Sequence, residues 1–513
     1  MLKLLIHADI RTMNAAMPRA DAAVVENDRF AFVGTAEGAQ LYLAERPHET
    51  VDAQGMTVIP GLNDAHMHYL HAAMRETSVD LVGARSPAEV VSRLRDGLSR
   101  HGGGWLIGEG WNQETFETPR LVTREDLDAV SVDVPIIASR ACGHVIAVNS
   151  RAMAMAGVDV ADGIFREDEQ AAICRLLPVP DTQSLLRMMC GAQGRLYAQG
   201  ITSVQSDDLG SIPPFQRESF LTALLDATET GALKVRYAQQ ALVDDVEDMR
   251  AFLQAGLHTV RGSRFRVAHM KILADGSLGA RTAWMRSPYA DAPDTTGFGI
   301  YDDAMMQAMV REAAAHDMPV AIHVIGDAAT QQALDAIERE GRGLRHALVH
   351  AQIMDAEQAI RCGRMGLCIL AQPIFLDADA PIVHARVGDA LAGSSYRWRT
   401  IMGAGAHVAF STDYPVEPFD TMPNLYCAVT RTSPNQNKPY LPEEAFQLEE
   451  ALYAYSAAGA YISGEEDKKG QIKRGQQADF VILNQKLDEK TPVQLLETGV
   501  AQTYIGGELV YSS

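Results

Sequence analysis

Residues 57–68 read TVIPGLNDAHMH, and this stretch decides how the rest of the chain is interpreted. An apolar run leads into two histidines, His66 and His68. Side chains two apart on a strand leave the same face, so both imidazoles are expected on one side of a strand end. Histidine is a common ligand of zinc and similar metals. The stretch predicts a strand ending at a metal site, although two surface histidines would give the same pattern.

Seven further β-rich runs follow and alternate with helical patterns. They are ITSVQSDD, LKVRYAQQ, RFRVAHMKILADG, MPVAIHVIGD, HALVHAQI, GLCILAQP and HVAFSTD. An extra run, VPIIASRACGHV, lies between the first and second and is assigned to a long insertion at about 70–195. The eight runs alternate with helical patterns, and a closed (β/α)8 barrel is built from eight strands that alternate with helices. The predicted fold class is therefore α/β, with a TIM-like barrel over 57–465.

Both ends of the chain carry short strand patterns. The N-terminal runs are LKLLIHADI, AAVVEND and RFAFVG, and the C-terminal ones are ADFVILNQ and QTYIGGELVYSS. Apolar-rich runs separated by polar or small residues are typical of short strands. We expect residues 1–56 and 466–513 to form one small β-sandwich domain together.

Charge, cysteine usage and the N-terminus narrow the class of protein. The 513 residues carry a formal net charge of -21, which repels phosphate backbones and anionic lipids, so neither nucleic acid nor membrane is expected as a partner. None of the six cysteines forms a C-x-x-C pair, which argues against a zinc ribbon and for reduced thiols. The N-terminal apolar run is broken by His7 and Asp9 and does not resemble a signal peptide. These features predict a cytoplasmic location.

Three more residues that could bind a metal close other apolar runs. His323 ends PVAIH, His350 lies in HALVHAQI, and Asp413 ends HVAFSTD. A lone histidine on an apolar strand is more often a core residue than a ligand. Active sites of these barrels lie at the C-terminal ends of the strands. The whole set in this order therefore favours a metal centre over separate core residues.

Lys271 lies inside the run RVAHMKILADG. A buried lysine is costly unless it is paired or neutral. A neutral amine can capture carbon dioxide and form a carbamate, an anionic group with two oxygens that bind metal. The alternatives are a lysine that extends to the mouth of the barrel or that pairs with Asp275.

These motifs together resemble the amidohydrolase superfamily, specifically its amidohydrolase-3 branch of YtcJ-like and N-substituted formamide deformylase-like proteins. The matching stretches are VIPGLNDAHMH, KILADGSLGARTAW, AIHVIGDAA, HALVHAQI, FSTDYPVEP and the C-terminal KKGQIKRGQQADFVILN. GWNQETF and GHVIAVNS in the insertion also resemble the branch. Thr412 and Tyr414 depart from the residues that often flank the aspartate.

The resemblance implies a centre of two divalent metal ions per chain, with zinc expected. His66, His68 and Asp413 would hold one ion, His323 and His350 the other, and a carbamate on Lys271 would bridge them. A hydroxide between the metals would be the nucleophile. Asp413 would be the catalytic residue that takes the proton of the attacking water and returns it to the leaving amine.

Six residues near these motifs are candidates for contacts with the substrate: Trp111, His144, Asp275, Ser277, Arg281 and Asp327. Simple packing would explain Trp111 equally well, and His144 could cap local structure. Arg281 could bind a carboxylate or neutralise Asp275. His269 and His346 are interpreted as structural.

The predicted reaction is hydrolysis of a non-peptide carbon–nitrogen bond in a small amide, N-acyl or N-formyl compound. Ester hydrolysis, deamination or isomerisation on the same site stay open, because a fold does not fix a function. A metal-binding protein without catalysis is a further alternative, although structural zinc sites usually close their coordination with four protein ligands. By analogy with relatives, a homodimer is expected.

Overall fold

The barrel contains eight parallel strands that lie side by side in sequence order. A computed structural model describes residues 2–75, 78–99, 103–140, 145–177 and 180–513. The barrel strands are β1 Leu62–Met67, β2 Ile201–Ser206, β3 Arg236–Leu242, β4 Phe265–Leu273, β5 Val320–Val324, β6 Ala347–His350, β7 Cys368–Ala371 and β8 His407–Phe410. The Asp413 amide donates to the His66 carbonyl at 2.9 Å, so the chain after β8 reaches β1. The predicted barrel is confirmed.

Helices connect the barrel strands, and several begin at an aspartate. Asp245, Asp302 and Asp355 each accept a backbone N–H in the first turn of the following helix, which satisfies a donor that the helix leaves free. The helices outside the insertion are Ala36–Leu43, Arg217–Thr230, Val246–Gln254, Asp303–Ala315, Asp327–Glu340, Ala356–Arg364, Leu376–Asp379, Val383–Ala392, Trp398–Gly403, Thr421–Thr430, Leu448–Ala454 and Ala457–Ile462, and Tyr69–Arg75 and Thr182–Ala198 run across its two boundaries. No helix in the described part of the chain is long and apolar enough to cross a membrane.

The two chain ends form a small β-sandwich, as predicted. One sheet has the strand order Arg29–Gly34, Ala22–Glu26, Leu2–Ile6, Glu49–Asp52. The other has the order Glu508–Ser512, Val500–Ile505, Phe480–Leu483, Thr57–Pro60, Asp9–Arg11, Arg19–Ala20. Leu5 and Phe30 of the first sheet pack with Val58 and Phe480 of the second in one buried apolar cluster. Burial of this shared core holds the two sheets face to face.

The run that starts at Thr57 contains two strands rather than one. Thr57–Pro60 pairs with Asp9–Arg11 and Phe480–Leu483 and belongs to the sandwich. The barrel starts only at Leu62, after Gly61. Gly61 has Thr202 so close that an added Cβ would lie 2.2 Å from its hydroxyl oxygen. The continuous apolar pattern hides this change of sheet.

Residues Leu70–Ala192 form a second compact unit. Its sheet has the order Ile164–Arg166, Val145–Val148, Ile136–Arg140, Leu106–Trp111, Val79–Asp80. Its helices are Pro87–Ser99, Arg124–Asp128, Ser150–Ala156 and Ala171–Cys174. The predicted insertion at about 70–195 includes this unit, and the extra run VPIIASRACGHV contains its strand Ile136–Arg140 and the first residue of Val145–Val148.

A buried ion pair joins the start of β3 to the C-terminal segment. Arg236 donates through Nη2 to Asp479 at 2.8 Å, and both side chains are less than 5% exposed. The Gly506 amide donates to the same carboxylate at 2.8 Å. A second buried pair, Lys469 with Glu465 at 3.0 Å, also reaches Ser203 on β2. These contacts satisfy charges that burial alone would penalise.

Candidate metal centre

The six residues predicted to bind metal all lie at or close to the C-terminal ends of barrel strands. His66 lies in β1 with His68 just after it, Lys271 is in β4, and Asp413 follows β8. The other two are His323 in β5 and His350 at the end of β6. Parallel strands bring their C-terminal ends to one rim, where this family of barrels binds ligands.

Four of these residues have side-chain donor atoms that lie close together. Nε2 of His66 lies 3.2 Å from Asp413 Oδ1, and Nε2 of His68 lies 3.1 Å from the same oxygen. One donor atom each from His66, His350 and Asp413 fall within 4.8 Å of one another, and all three residues are buried. Two imidazoles and a carboxylate at this spacing form a donor set suited to a divalent transition metal.

The protonation of His66 shows why a cation fits here. Its Nδ1 donates to Gln240 Oε1 at 2.6 Å, and burial lowers the pKa of the ring, so Nε2 carries a lone pair. That nitrogen has no hydrogen-bond partner among the described residues, although it faces the Asp413 carboxylate. Two lone pairs that face each other at 3.2 Å repel, and a metal ion between them would remove the repulsion. The residues present therefore fit a metal.

A hydrogen bond of 3.1 Å joins His68 Nε2 to Asp413 Oδ1. Burial alone would lower the pKa of His68, but the hydrogen bond to Asp413 and the charges of Asp413 and Asp207 raise it to about 9. Although burial would raise the pKa of Asp413, the hydrogen bond from His68 and the charge of that ring hold it well below its usual range. An ion that binds at neutral pH must therefore displace a proton from His68.

His323 and His350 form the second half of the centre. Their ring centroids are 4.6 Å apart, and burial is the main cause that lowers both pKa values, to about 3 for His350. His323 Nε2 donates to the Gly276 carbonyl at 3.0 Å, which leaves Nδ1 to bind metal. His350 Nδ1 donates to Gln372 at 2.9 Å, which leaves Nε2. Both rings are neutral and each has a nitrogen lone pair available.

Lys271 is buried, with 1% of the residue exposed, and its partner is Asp207 rather than Asp275. The Lys271 Nζ lies 3.4 Å from Asp207 Oδ2. Asp207 directly follows β2, and its backbone carbonyl also lies 3.0 Å from His68 Nδ1. Sequence reasoning missed this residue, although the acidic pair at the end of ITSVQSDD follows a barrel strand as the predicted ligands do.

Asp64 ties the two edges of the barrel together beside the centre. It accepts the backbone N–H groups of His66 and Thr412, each at 3.2 Å, and the Thr412 hydroxyl. Burial raises the pKa of Asp64 to about 7 against these hydrogen bonds. Thr412, which departs from the branch pattern, is thus a hydrogen-bond donor between β1 and the chain after β8.

Two of the residues predicted to bind metal have left-handed backbone conformations. His350 has φ of 72° and Asp413 has φ of 58°. Such angles are uncommon for residues other than glycine and concentrate at functional sites, where the surrounding structure enforces them. Trp398 helps to hold His350 by donating its indole N–H to the carbonyl of that residue at 2.9 Å.

Most of the residues predicted to contact the substrate have hydrogen-bond partners within the protein. Trp111 is buried and donates to the Ala138 carbonyl at 3.0 Å, the packing role expected as its alternative. His144 lies outside the described residues. Arg281 pairs with Asp291 at 2.8 Å and not with Asp275. For these residues, contact with a substrate stays a prediction.

The remaining candidates divide into a buried and an exposed set. Asp275 accepts the backbone N–H groups of Trp284, Ile325 and Gly326 and lies 3.4 Å from His323 Nε2, so it helps to position that ring. Asp327 begins a helix and is held by Arg286. Ser277 is exposed on the loop after β4.

The two histidines interpreted as structural, His269 and His346, are buried and are not among the six residues predicted to bind metal. His346 accepts the Val320 amide at 3.1 Å and contacts the Gly341 carbonyl at 2.6 Å, so both ring nitrogens are used. His269 is fully buried within β4, and burial lowers its pKa to about 3.

Comparison with known proteins gives a consistent result. The model of the amidohydrolase family matches residues 49–511. YtcJ of Bacillus subtilis (strain 168), which is named as an amidohydrolase, is 30% identical over 98% of both chains. The N-substituted formamide deformylase of Arthrobacter pascens is 25% identical, over 99% of this chain and 98% of its own. A crystal structure of an uncharacterized metal-dependent hydrolase from Pyrococcus furiosus is 29% identical, with a TM-score of 0.81 over 95% of this chain and 100% of the other. The chain therefore belongs to the amidohydrolase family.

Proposed function

We propose that this protein is a metal-dependent hydrolase of a non-peptide carbon–nitrogen bond in a small amide, N-acyl or N-formyl substrate. One observation carries the proposal: the Nε2 atoms of His66 and His68 converge on one oxygen of Asp413, with His350 beside them. The relative named as a formamide deformylase supports the class of bond.

The residues divide into two binding groups. His66, His68 and Asp413 would hold one ion, and His323 with His350 would hold a second. A carbamate formed on Lys271 would supply further oxygen ligands to both ions, and the lysine would then have to leave Asp207. Divalent cations bound there supply positive charge that polarises a carbonyl and lowers the pKa of water. Zinc suits this set of imidazole and carboxylate donors.

Asp413 is the residue placed to move the proton. Its carboxylate is ionised at neutral pH and lies at the centre of the site. It would accept the proton of the attacking water as the new carbon–oxygen bond forms, and then donate it to the nitrogen as the carbon–nitrogen bond breaks. His66 and His68 orient the carboxylate for both transfers through their contacts with Oδ1.

A substrate panel tests the proposed reaction. Purified protein is offered N-formyl, N-acyl and cyclic amides together with matched esters, before and after treatment with a chelator. We expect release of amine from at least one amide, loss of this activity on chelation and recovery when Zn²⁺ is added back. Turnover of esters alone, or deamination without acyl cleavage, would show that the proposed carbon–nitrogen bond class is wrong. Activity that survives complete removal of metal would contradict metal dependence.

Metal content tests the two-ion centre separately. Elemental analysis of protein purified with bicarbonate and without chelators is expected to give about two equivalents per chain. Lys271→Ala should bind fewer, because the bridging group is gone, whereas Lys490→Ala, at an exposed position, should match the wild type. A single equivalent that Lys271→Ala leaves unchanged would contradict the bridged pair.

A further inference from the structure

Three barrel strands that supply no metal ligand instead supply hydrogen-bond partners of the ligands. Asp207 follows β2, Gln240 lies in β3 and Gln372 follows β7. The carbonyl of Asp207 lies beside His68, and the two glutamine side chains contact His66 and His350. Both glutamines are fully buried, where an amide is retained only if it is hydrogen-bonded.

The orientation of the Gln240 amide follows from its other contact. Its Nε2 donates to the Ala65 carbonyl at 3.0 Å, so the end that faces His66 Nδ1 at 2.6 Å is the oxygen Oε1. An amide oxygen only accepts, so the proton of His66 must be on Nδ1. The lone pair of His66 is therefore on Nε2, the atom that faces Asp413.

Gln372 repeats this arrangement on the other side of the centre. Its Nε2 donates to the Leu370 carbonyl at 2.9 Å and to the Ser411 hydroxyl at 2.7 Å. Its Oε1 is consequently the acceptor for His350 Nδ1 at 2.9 Å. The lone pair of His350 is thereby fixed on Nε2 as well.

We propose that Gln240 and Gln372 are positioning residues that fix the Nδ1–H form of His66 and His350 and so present both Nε2 atoms to the metal. The inference rests on the proposed metal centre and adds the residues that set its ligand atoms. His68 and His323 are held by backbone carbonyls, which no side-chain substitution removes. The two glutamines are therefore positions where the orientation of His66 and His350 can be changed without changing a ligand.

The test compares the loss of the acceptor with its retention. Gln240→Met and Gln372→Met keep the side-chain length but remove the oxygen. Gln240→Glu and Gln372→Glu keep an oxygen for the histidine while losing the amide donor. Gln239→Met is the matched control, because Gln239 is the neighbouring buried glutamine and, within the described part of the chain, its amide donates to the backbone carbonyls of Ser206 and Gln240 and to no histidine.

The dissociation constant for Zn²⁺ is measured by competition with a chelator, on protein whose fold is checked by circular dichroism. We expect each Met variant at positions 240 and 372 to bind about 10–100-fold more weakly, as for other residues that orient metal-binding histidines. Both Glu variants and Gln239→Met should stay close to the wild type. Pulsed EPR of the Cu²⁺-loaded protein should show altered remote-nitrogen couplings in the two Met variants alone.

The outcomes separate this inference from the proposed function. If the wild type binds metal and the Met variants at 240 and 372 bind it equally well, the positioning role is wrong and the metal centre stands. Equal weakening in Gln239→Met would assign the effect to core packing and also overturn the role. A wild type that binds no metal contradicts the proposed function itself.

Discussion

Replacement of Asp413 by Asn is expected to lower turnover by about 10³-fold while the barrel stays folded. The carboxylate is the group that receives contacts from both His66 and His68, and its pKa is held well below the usual range. An amide of the same shape cannot accept and return a proton. Turnover is measured on the best amide of the panel, with metal content and circular dichroism determined in parallel.

Asp389→Asn is the matched control, because this carboxylate is exposed and, among the described residues, pairs with the surface residue His384 alone. It should retain the wild-type rate. An Asp413→Asn enzyme that turns over at the wild-type rate would remove Asp413 from the proposed mechanism. Loss of activity with complete loss of metal would instead show that its main role is to bind the ion.

Breaking the buried pair between Arg236 and Asp479 is expected to cost about 3–5 kcal/mol of unfolding free energy. Asp479→Asn leaves the Arg236 guanidinium buried without its counter-charge, where burial alone lowers the pKa of an arginine. The measurement is the shift of the urea unfolding transition. Glu340→Gln, which breaks a surface pair with Arg311, should shift the unfolding transition far less, because solvent screens such a pair.

The same pair sets a dependence of stability on pH. Burial would raise the pKa of Asp479, but the charge and hydrogen bonds of Arg236 keep it below its ordinary value. The contribution of Asp479 to the free energy of unfolding is therefore fully present above the pKa of an aspartate in the unfolded chain, about 4. It is lost as the pH falls through the pKa of Asp479 in the folded protein. Equal stability of wild type and Asp479→Asn at neutral pH would contradict this role.

The barrel and the family could be predicted from the sequence, because buried parallel strands are continuous apolar runs and the histidines stand at their ends. Seven of the eight predicted runs contain a whole barrel strand, and the third, LKVRYAQQ, ends two residues before Arg236–Leu242 does. The change of sheet between Thr57–Pro60 and Leu62–Met67 was not predicted, since both strands are buried and only Gly61 separates them.

The convergence of His66, His350 and Asp413 at one end of the barrel could be predicted from the sequence, whereas the hydrogen-bond partners of these residues could not. Histidines at the ends of apolar runs can be recognised as candidate ligands from the sequence. A glutamine or an aspartate in a strand gives no indication of which side chain it contacts. Gln240 contacts His66 across the barrel interior, a proximity that depends on strand order and register rather than on sequence distance. The partner of Arg281 was not predicted either, because Asp291 lies ten residues further along a loop whose path the sequence does not indicate.

The sandwich made from both chain ends has a consequence for synthesis. Thr57–Pro60 leaves the ribosome early, but its neighbour Phe480–Leu483 is made only after the whole barrel. Until then, one edge of that strand has unpaired backbone groups, which can pair with other chains. Domains generally fold as they emerge, yet this one must wait for the final strands. A nascent chain stalled before residue 480 would therefore carry an exposed edge into the crowded cell and depend on chaperones to avoid aggregation.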